Sequence, residues 1–243
     1  MRRSVWFLLV MVMITLSCSE QEEQVTRDVF FGYFPLQVGD FAIYEVDEIQ
    51  YQQNVQTHSV YELKTLVVDS FLNEEGGYTY AINQFRRTDS NKLWSAIESA
   101  SARVSNREVV VNEGNTSYVK MSTPLLKGQK WNGNALNNEG GDERCGTDPA
   151  YSCDNYEITS VNESFATTLA TYDQALTVME NNDPDILVKY DVRKQVYASG
   201  VGLVTVEKTV LNYCTTPPAC YGTQYVDTGY KYKQILKERG VEK

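Results

Sequence analysis

Apolar and polar residues alternate with a period of two through most of this chain, and that alternation is its strongest constraint on fold. Tyr61, Leu63, Val67 and Phe71 alternate with Glu62, Lys64 and other polar partners, and Tyr78, Tyr80 and Ile82 alternate with Thr79 and Asn83. Successive side chains of a strand point to opposite faces, so each row sets one face against a core and the other against water. The clearest case sets Ile186, Val188, Tyr190 and Val192 against Lys189, Asp191, Arg193 and Gln195; a helix would scatter those four apolar side chains around its axis. Further strand segments are 41–51, 102–112, 115–122, 156–163, 175–181, 201–213 and 228–237, divided by Gly, Asn, Asp and Pro clusters such as 73–77 and 181–185. The expected fold is all-β, a single antiparallel domain of about ten strands over 30–238 forming a curved sheet or incomplete barrel, with a tail at 239–243. At most one or two short helices fit. Residues 92–102 read equally as helix, on Leu93, Ile97 and Ala100, or as a Ser-rich strand, and 171–176 could form one turn.

Ahead of this body, Arg2 and Arg3 precede the apolar run Val5 to Ile14, followed by Thr15-Leu16-Ser17-Cys18. A short basic region, an apolar run too short to span a bilayer and a small residue form a secretory signal peptide over 1–17. Leu16-Ser17-Cys18 resembles the lipobox of bacterial lipoproteins, whose Cys is acylated and becomes the first residue; Thr15 stands where that pattern usually has Leu. The resemblance implies a lipid anchor at Cys18 in the cell envelope, at the outer membrane, in which palmitate-like acyl chains hold the protein without a transmembrane helix. Ser19-Glu20-Gln21-Glu22-Glu23-Gln24 carries no apolar group, so 18–29 reads as a lipidated acidic tether. The same stretch resembles the acidic surface-export signals of Bacteroidota lipoproteins, and a solvated spacer explains it equally well.

The charge balance excludes several classes of function. With 22 Lys+Arg against 32 Asp+Glu, the net charge is −10 and the pI near 4.7. A nucleic-acid surface would need clustered cations, and none is present. The single His, His58, removes most nucleophile–base dyads and imidazole metal sites.

After Cys18, four cysteines remain in two local pairs, Cys145 with Cys153 and Cys214 with Cys220, each enclosing Pro and turn formers. In an oxidising envelope each pair can close as a disulfide. A zinc site is the alternative, but these gaps exceed the usual zinc-finger spacing and no Cys-x-x-Cys occurs. Three connectivities are formally open.

Other candidate sites compete with plain structural explanations. Glu45 and Asp47 share a strand face, as a hydrolytic carboxylate pair or as a solvated surface. Asp183, Asp185, Asp142 and Glu143 offer oxygen ligands to calcium, or simple turn chemistry. Gly200 and Gly202 fit a bulge better than a phosphate loop, because a strand follows them. Trp131, beside Asn132-Gly133-Asn134 and the long 133–154 loop, could contact a glycan or protein ligand, or could plug one end of the sheet. No cofactor is expected.

Three stretches resemble uncharacterised secreted lipoproteins, especially of Bacteroidota: Tyr33-Phe34-Pro35-Leu36-Gln37-Val38-Gly39 with Tyr44, Pro124-Leu125-Leu126-Lys127-Gly128 with Trp131, Gly133 and Asn134, and Tyr197-Ala198-Ser199-Gly200-Val201-Gly202-Leu203-Val204. Ala42 stands where that group usually has Trp. The resemblance implies a curved antiparallel sheet akin to lipoprotein-carrier folds that hold acyl chains on a concave face. No reaction is attached to these motifs. The expected role is therefore a non-enzymatic one, binding an apolar small molecule or acyl ligand or serving structurally. A surface module that binds glycan or an envelope protein through 133–154 is the alternative, and a carboxylate hydrolase a third. The anchor is directly testable: an alkyne palmitate analogue fed to expressing cells is expected to label the wild-type chain and leave Cys18→Ala unlabelled.

Overall fold

A computed structural model of the chain describes residues 30, 32–73, 77–138, 155–216 and 220–242. In chain order the strands are β1 (Asp40–Gln52), β2 (Val55–Leu72), β3 (Tyr78–Arg87), β4 (Ser95–Val104), β5 (Glu108–Glu113), β6 (Thr116–Ser122), β7 (Lys130–Asn132), β8 (Asn155–Ala166), β9 (Thr171–Asp185), β10 (Lys189–Ala198), β11 (Gly202–Tyr213) and β12 (Val226–Val241). They form one sheet of 12 strands in the order β6-β5-β4-β3-β2-β1-β12-β11-β10-β9-β8-β7, with every neighbouring pair antiparallel. Two meanders, β1 to β6 and β7 to β12, are therefore joined by one long-range pairing, β1 with β12, running from Asp40↔Val241 to Gln52↔Thr228.

The two ends of the strand order, β6 and β7, are consecutive in the chain, and the sheet curls until they meet. Val119 N–H donates to the Gly133 carbonyl at 2.8 Å. The Trp131 indole N–H donates to the Val119 carbonyl at 2.7 Å, and the Asn137 amide to the Ser117 carbonyl at 2.7 Å. The result is a nearly closed barrel whose seam is bridged by a few hydrogen bonds in place of a ladder.

One end of the barrel is filled. A helical turn, closed by Phe34 N–H to the Phe30 carbonyl at 2.6 Å, buries Phe30 and Tyr33 against Met121, Ile158, Leu176 and Tyr197. Phe34, Leu36, Leu125, Trp131 and Leu203 pack on the same cluster, and the Phe34 and Tyr197 rings lie 5.9 Å apart. All three lipoprotein-like motifs thus supply side chains to one plug. A second cluster, Tyr44, Val46, Tyr61, Leu63 and Leu236, lies across the β1–β2–β12 wall.

Twelve strands exceed the sequence estimate for two reasons. The segment 102–112 is divided by a turn at 105–107, so it belongs to β4 and β5, and β7 has only three residues. Residues 95–104 are strand, as are 171–176 within β9. β12 runs to Val241 because its last residues pair with Asp40 and Phe41, so the boundary drawn at 238 falls inside a strand.

The face assigned to 186–195 is reversed. Residues 186–188 form the β9–β10 turn, where Ile186 and Val188 are 49% and 47% exposed. It is Asp191 and Gln195 that are buried, at 3% and 5%. Inward-facing positions need apolar side chains only where the lumen is dry, and here paired polar groups occupy them.

β8 is the most irregular strand. Its pairing with β9 shifts register between Ile158 and Ser160, between Val161 and Glu163, and between Glu163 and Phe165, and Asn162 takes a left-handed φ of 56°. Asn162 is also the acceptor for the Tyr33 hydroxyl at 2.5 Å.

Among the described residues, the closest approaches at a glycine are at Gly133 and Gly229. A side chain at Gly133 would enter the Tyr156 ring beside the seam, and one at Gly229, whose φ is +141°, would strike the Val210 carbonyl across the β11–β12 ladder. Gly133→Ala and Gly229→Ala are each expected to lower unfolding stability by about 2–3 kcal/mol in urea titrations. Gly200→Ala, with nothing within 4 Å of its added carbon, should cost roughly 1 kcal/mol from backbone strain alone.

Candidate functional site

Because the sheet is wider than its side chains can fill, the lumen holds two adjoining cavities. The first, about 360 Å³, is predominantly apolar and lies between the β1–β6 wall and β10–β12. Leu63, Val67, Ile82, Ala100, Val111 and Val206 point into it from alternating strand positions, with Tyr44, Tyr230 and Tyr232. The second, about 350 Å³, is polar and lies toward the β9–β10 turn, walled by Tyr118, Asp183, Lys189, Asp191 and Arg193. Glu113, Lys120, Lys208 and Tyr230 border both.

A buried network stands between them. The Lys120 ammonium lies 3.2 Å from Glu180 and 3.6 Å from Glu113. The Gln195 amide donates to Glu180 at 2.7 Å, and the Tyr197 hydroxyl donates to Gln195. Lys120 and Glu180 are 4% and 2% exposed, so each depends on the other for its solvation. Burial alone would raise the Glu180 carboxyl, but Lys120, Lys208 and Arg193 hold it below the usual carboxylate range. Burial would depress Lys120, but Glu180 and Glu113 keep it above the usual lysine value. Burial pushes the Tyr197 hydroxyl up, so it stays protonated and serves as a donor.

Beside this network, Asp191 accepts from Arg193 at 2.7 and 3.3 Å and pairs with Lys189 at 2.9 Å. Burial opposes ionisation of Asp191, yet Lys189 and Arg193 lower its pKa. On the β1–β2 wall the Tyr61 hydroxyl donates to Glu48 at 2.9 Å, with Arg86 stacked 3.6 Å from its ring centre; burial and Glu48 push the phenol up to about 12.

The residues singled out from sequence fall elsewhere. Trp131 packs edge-on against Tyr156 at 5.9 Å, bonds across the seam and lines none of the cavities described here. Cys214 and Cys220 form a disulfide, with Cα atoms 5.7 Å apart. Cys18, Cys145, Cys153, Asp142 and Glu143 lie outside the described residues. His58 meets Asp47 at 3.0 Å on an exposed surface, and Glu45 pairs with Lys237 at 3.2 Å. Asp183 borders the polar cavity, and Asp185 pairs in register with Lys189. Among the described residues no group of three or more His, Cys, Asp or Glu is placed to hold a metal ion.

Sequence reasoning missed Lys120, Glu180 and Gln195. The available signal was a lone charge between apolar neighbours, as in Val119-Lys120-Met121. Periodicity marks such a residue as facing opposite to its neighbours without saying which face is inside.

The network's contribution to stability has two limits in pH. Glu180 titrates lower when folded, so its contribution is complete above about pH 4.3 and is lost as pH falls through the folded value. Lys120 titrates higher when folded, so its contribution is complete below about pH 10.4 and fades as pH rises through the folded value. Lys120→Met, which strands Glu180, is expected to cost about 3–5 kcal/mol at neutral pH, and the double change Lys120→Met/Glu180→Leu should recover most of it. Denaturation curves taken down to about pH 3 should show a shallower acid loss in the double variant than in wild type.

No protein-family model matches the sequence, and no curated protein matches it. Among solved structures, the chain is similar to a Bacteroides fragilis protein described as exported, with a YmcC-like fold, at 10% identity and a TM-score of 0.38, over 86% of this chain and 98% of that one. It is also similar to a Parabacteroides distasonis protein described as a lipoprotein, at 12% identity and a TM-score of 0.43, over 85% of this chain and 97% of that one.

Proposed function

We propose that this protein is an outer-membrane lipoprotein, tethered through Cys18, whose barrel binds an apolar or acyl-chain ligand without transforming it. The observation that carries the reading is the apolar cavity of about 360 Å³ in the lumen. It falls within the roughly 300–1,000 Å³ typical of preformed ligand sites, and its wall combines aliphatic side chains with a few fixed polar groups. The most deeply buried carboxylates, Glu180 and Asp191, are already committed to cations, which suits a structural role for them better than a catalytic one. The signal-peptide anatomy before Cys18 and the acidic segment after it support delivery to the envelope.

The test is the lipid content of protein purified from its native membrane. Mass spectrometry of the extract is expected to find acyl-chain molecules enriched over an unrelated lipoprotein purified alongside. Ala100→Phe, which fills part of the cavity, should reduce that enrichment several-fold while the chain still unfolds cooperatively. Equal lipid in wild type and control would sink the reading.

A further inference from the structure

All but one of the cations lining the two cavities are committed. Lys120 serves Glu180 and Glu113, Lys189 and Arg193 flank Asp191, and the Arg239 guanidinium donates to the Gly200 carbonyl. Lys208 is the exception: among the described residues its ammonium has no carboxylate at ion-pair distance and no hydrogen-bond acceptor. It lies on β11, in register between Arg193 of β10 and Tyr232 of β12, on a row with Val206 and Val210. It also stands where the two cavities join, so one side of it is aliphatic wall and the other is polar lumen.

The acids nearby do not answer it. Glu180 influences Lys208 electrostatically, but its carboxylate already bonds Lys120 and Gln195. Glu98 and Asp183, which also border the cavities, are exposed and solvated. A half-buried ammonium at the end of an apolar chamber is a complement for a molecule with an apolar tail and an anionic oxygen head.

We infer that the cavity takes a single-chain amphiphile with an anionic head, its carboxylate or phosphate oxygens on the Lys208 ammonium and its tail against Val206, Leu63 and Ile82. This specificity rests on the ligand-binding reading above. A neutral amphiphile of the same length fills the same chamber and forgoes the head contact.

The two ideas separate in one photolabelling experiment on the full-length protein in its membrane. The probes are diazirine-bearing dodecanoate, dodecyl phosphate and dodecanol, with labelled peptides located by mass spectrometry. In wild type all three are expected to label β2, β3 and β11, the two anions saturating at lower concentration than the alcohol. Whichever anion saturates first identifies the head as carboxylate or phosphate. Lys208→Gln should weaken both anions by at least about tenfold and leave dodecanol unchanged, which also shows that the chamber is intact. Lys208→Arg should restore the preference. If the anions label Lys208→Gln as well as wild type, head recognition by Lys208 is overturned while the chamber stands; if all three probes weaken together in it, Lys208 supports the chamber and not the head, and head recognition is overturned as well. Failure of every probe to label the lumen in wild type would overturn the binding reading itself.

Discussion

The pairing of β1 with β12 is the contact on which the rest of the architecture depends. Every other ladder joins strands that are consecutive in the chain. The β1–β12 ladder brings together residues some two hundred positions apart, between Asp40 and Val241, and turns two separate six-strand meanders into one surface. Without it, each meander would expose a long unpaired strand, and the second apolar cluster would be divided, since Tyr44, Val46, Tyr61 and Leu63 come from β1 and β2 and Leu236 from β12. Closing so distant a pair has a loop-entropy cost, which a long, nearly unbroken register is suited to offset.

Strand number then dictates what the interior contains. About eight strands close around a space that side chains can fill, and each added strand widens the ring. With twelve, the lumen is too wide to pack solid, and the chain fills it in three ways along its length. Phe30, Tyr33 and their neighbours plug one end, an aliphatic wall encloses the middle, and paired charges with their hydrogen-bonding partners occupy the other end. The Lys120–Glu180 pair marks the transition. A buried ion pair is a weak source of net stability compared with packed apolar groups, but each member fixes the position of the other. Here that fixes β6, on one side of the seam, against β9, three strands away across it.

Strand identity was legible in the sequence because it depends on a local period. Tyr61, Leu63 and Val67 line the interior as their alternation predicts. The side of the sheet each row would face was legible only where the interior is apolar. On β10 the inward row is Asp191, Arg193, Gln195 and Tyr197, and no rule based on hydrophobicity could have sent Asp191 inside, because its solvation comes from Arg193 and Lys189 through the fold. Trp131 was conspicuous for a sound reason, an indole in a turn-rich stretch, but its partners Val119 and Tyr156 are contributed by other strands. Gly133 is explained only by the Tyr156 ring it abuts. The apolar chamber was expected from the lipoprotein-like motifs, yet those motifs build the plug beside it and not most of its wall.

The irregularity of β8 bears on how molecules of this protein meet one another. Since β7 covers β8 only from Asn155 to Glu157, the remainder of β8, from about Ser160, lies at a sheet margin. An exposed straight strand there would offer a row of backbone donors and acceptors to any passing extended chain, the usual route to edge-to-edge aggregation. Three register shifts in quick succession, a left-handed residue at Asn162 and the charge of Glu163 leave no regular repeat for a second strand to match. The same bulges that shape the wall around the plug thus leave the open margin of the barrel without a regular template for edge-to-edge pairing.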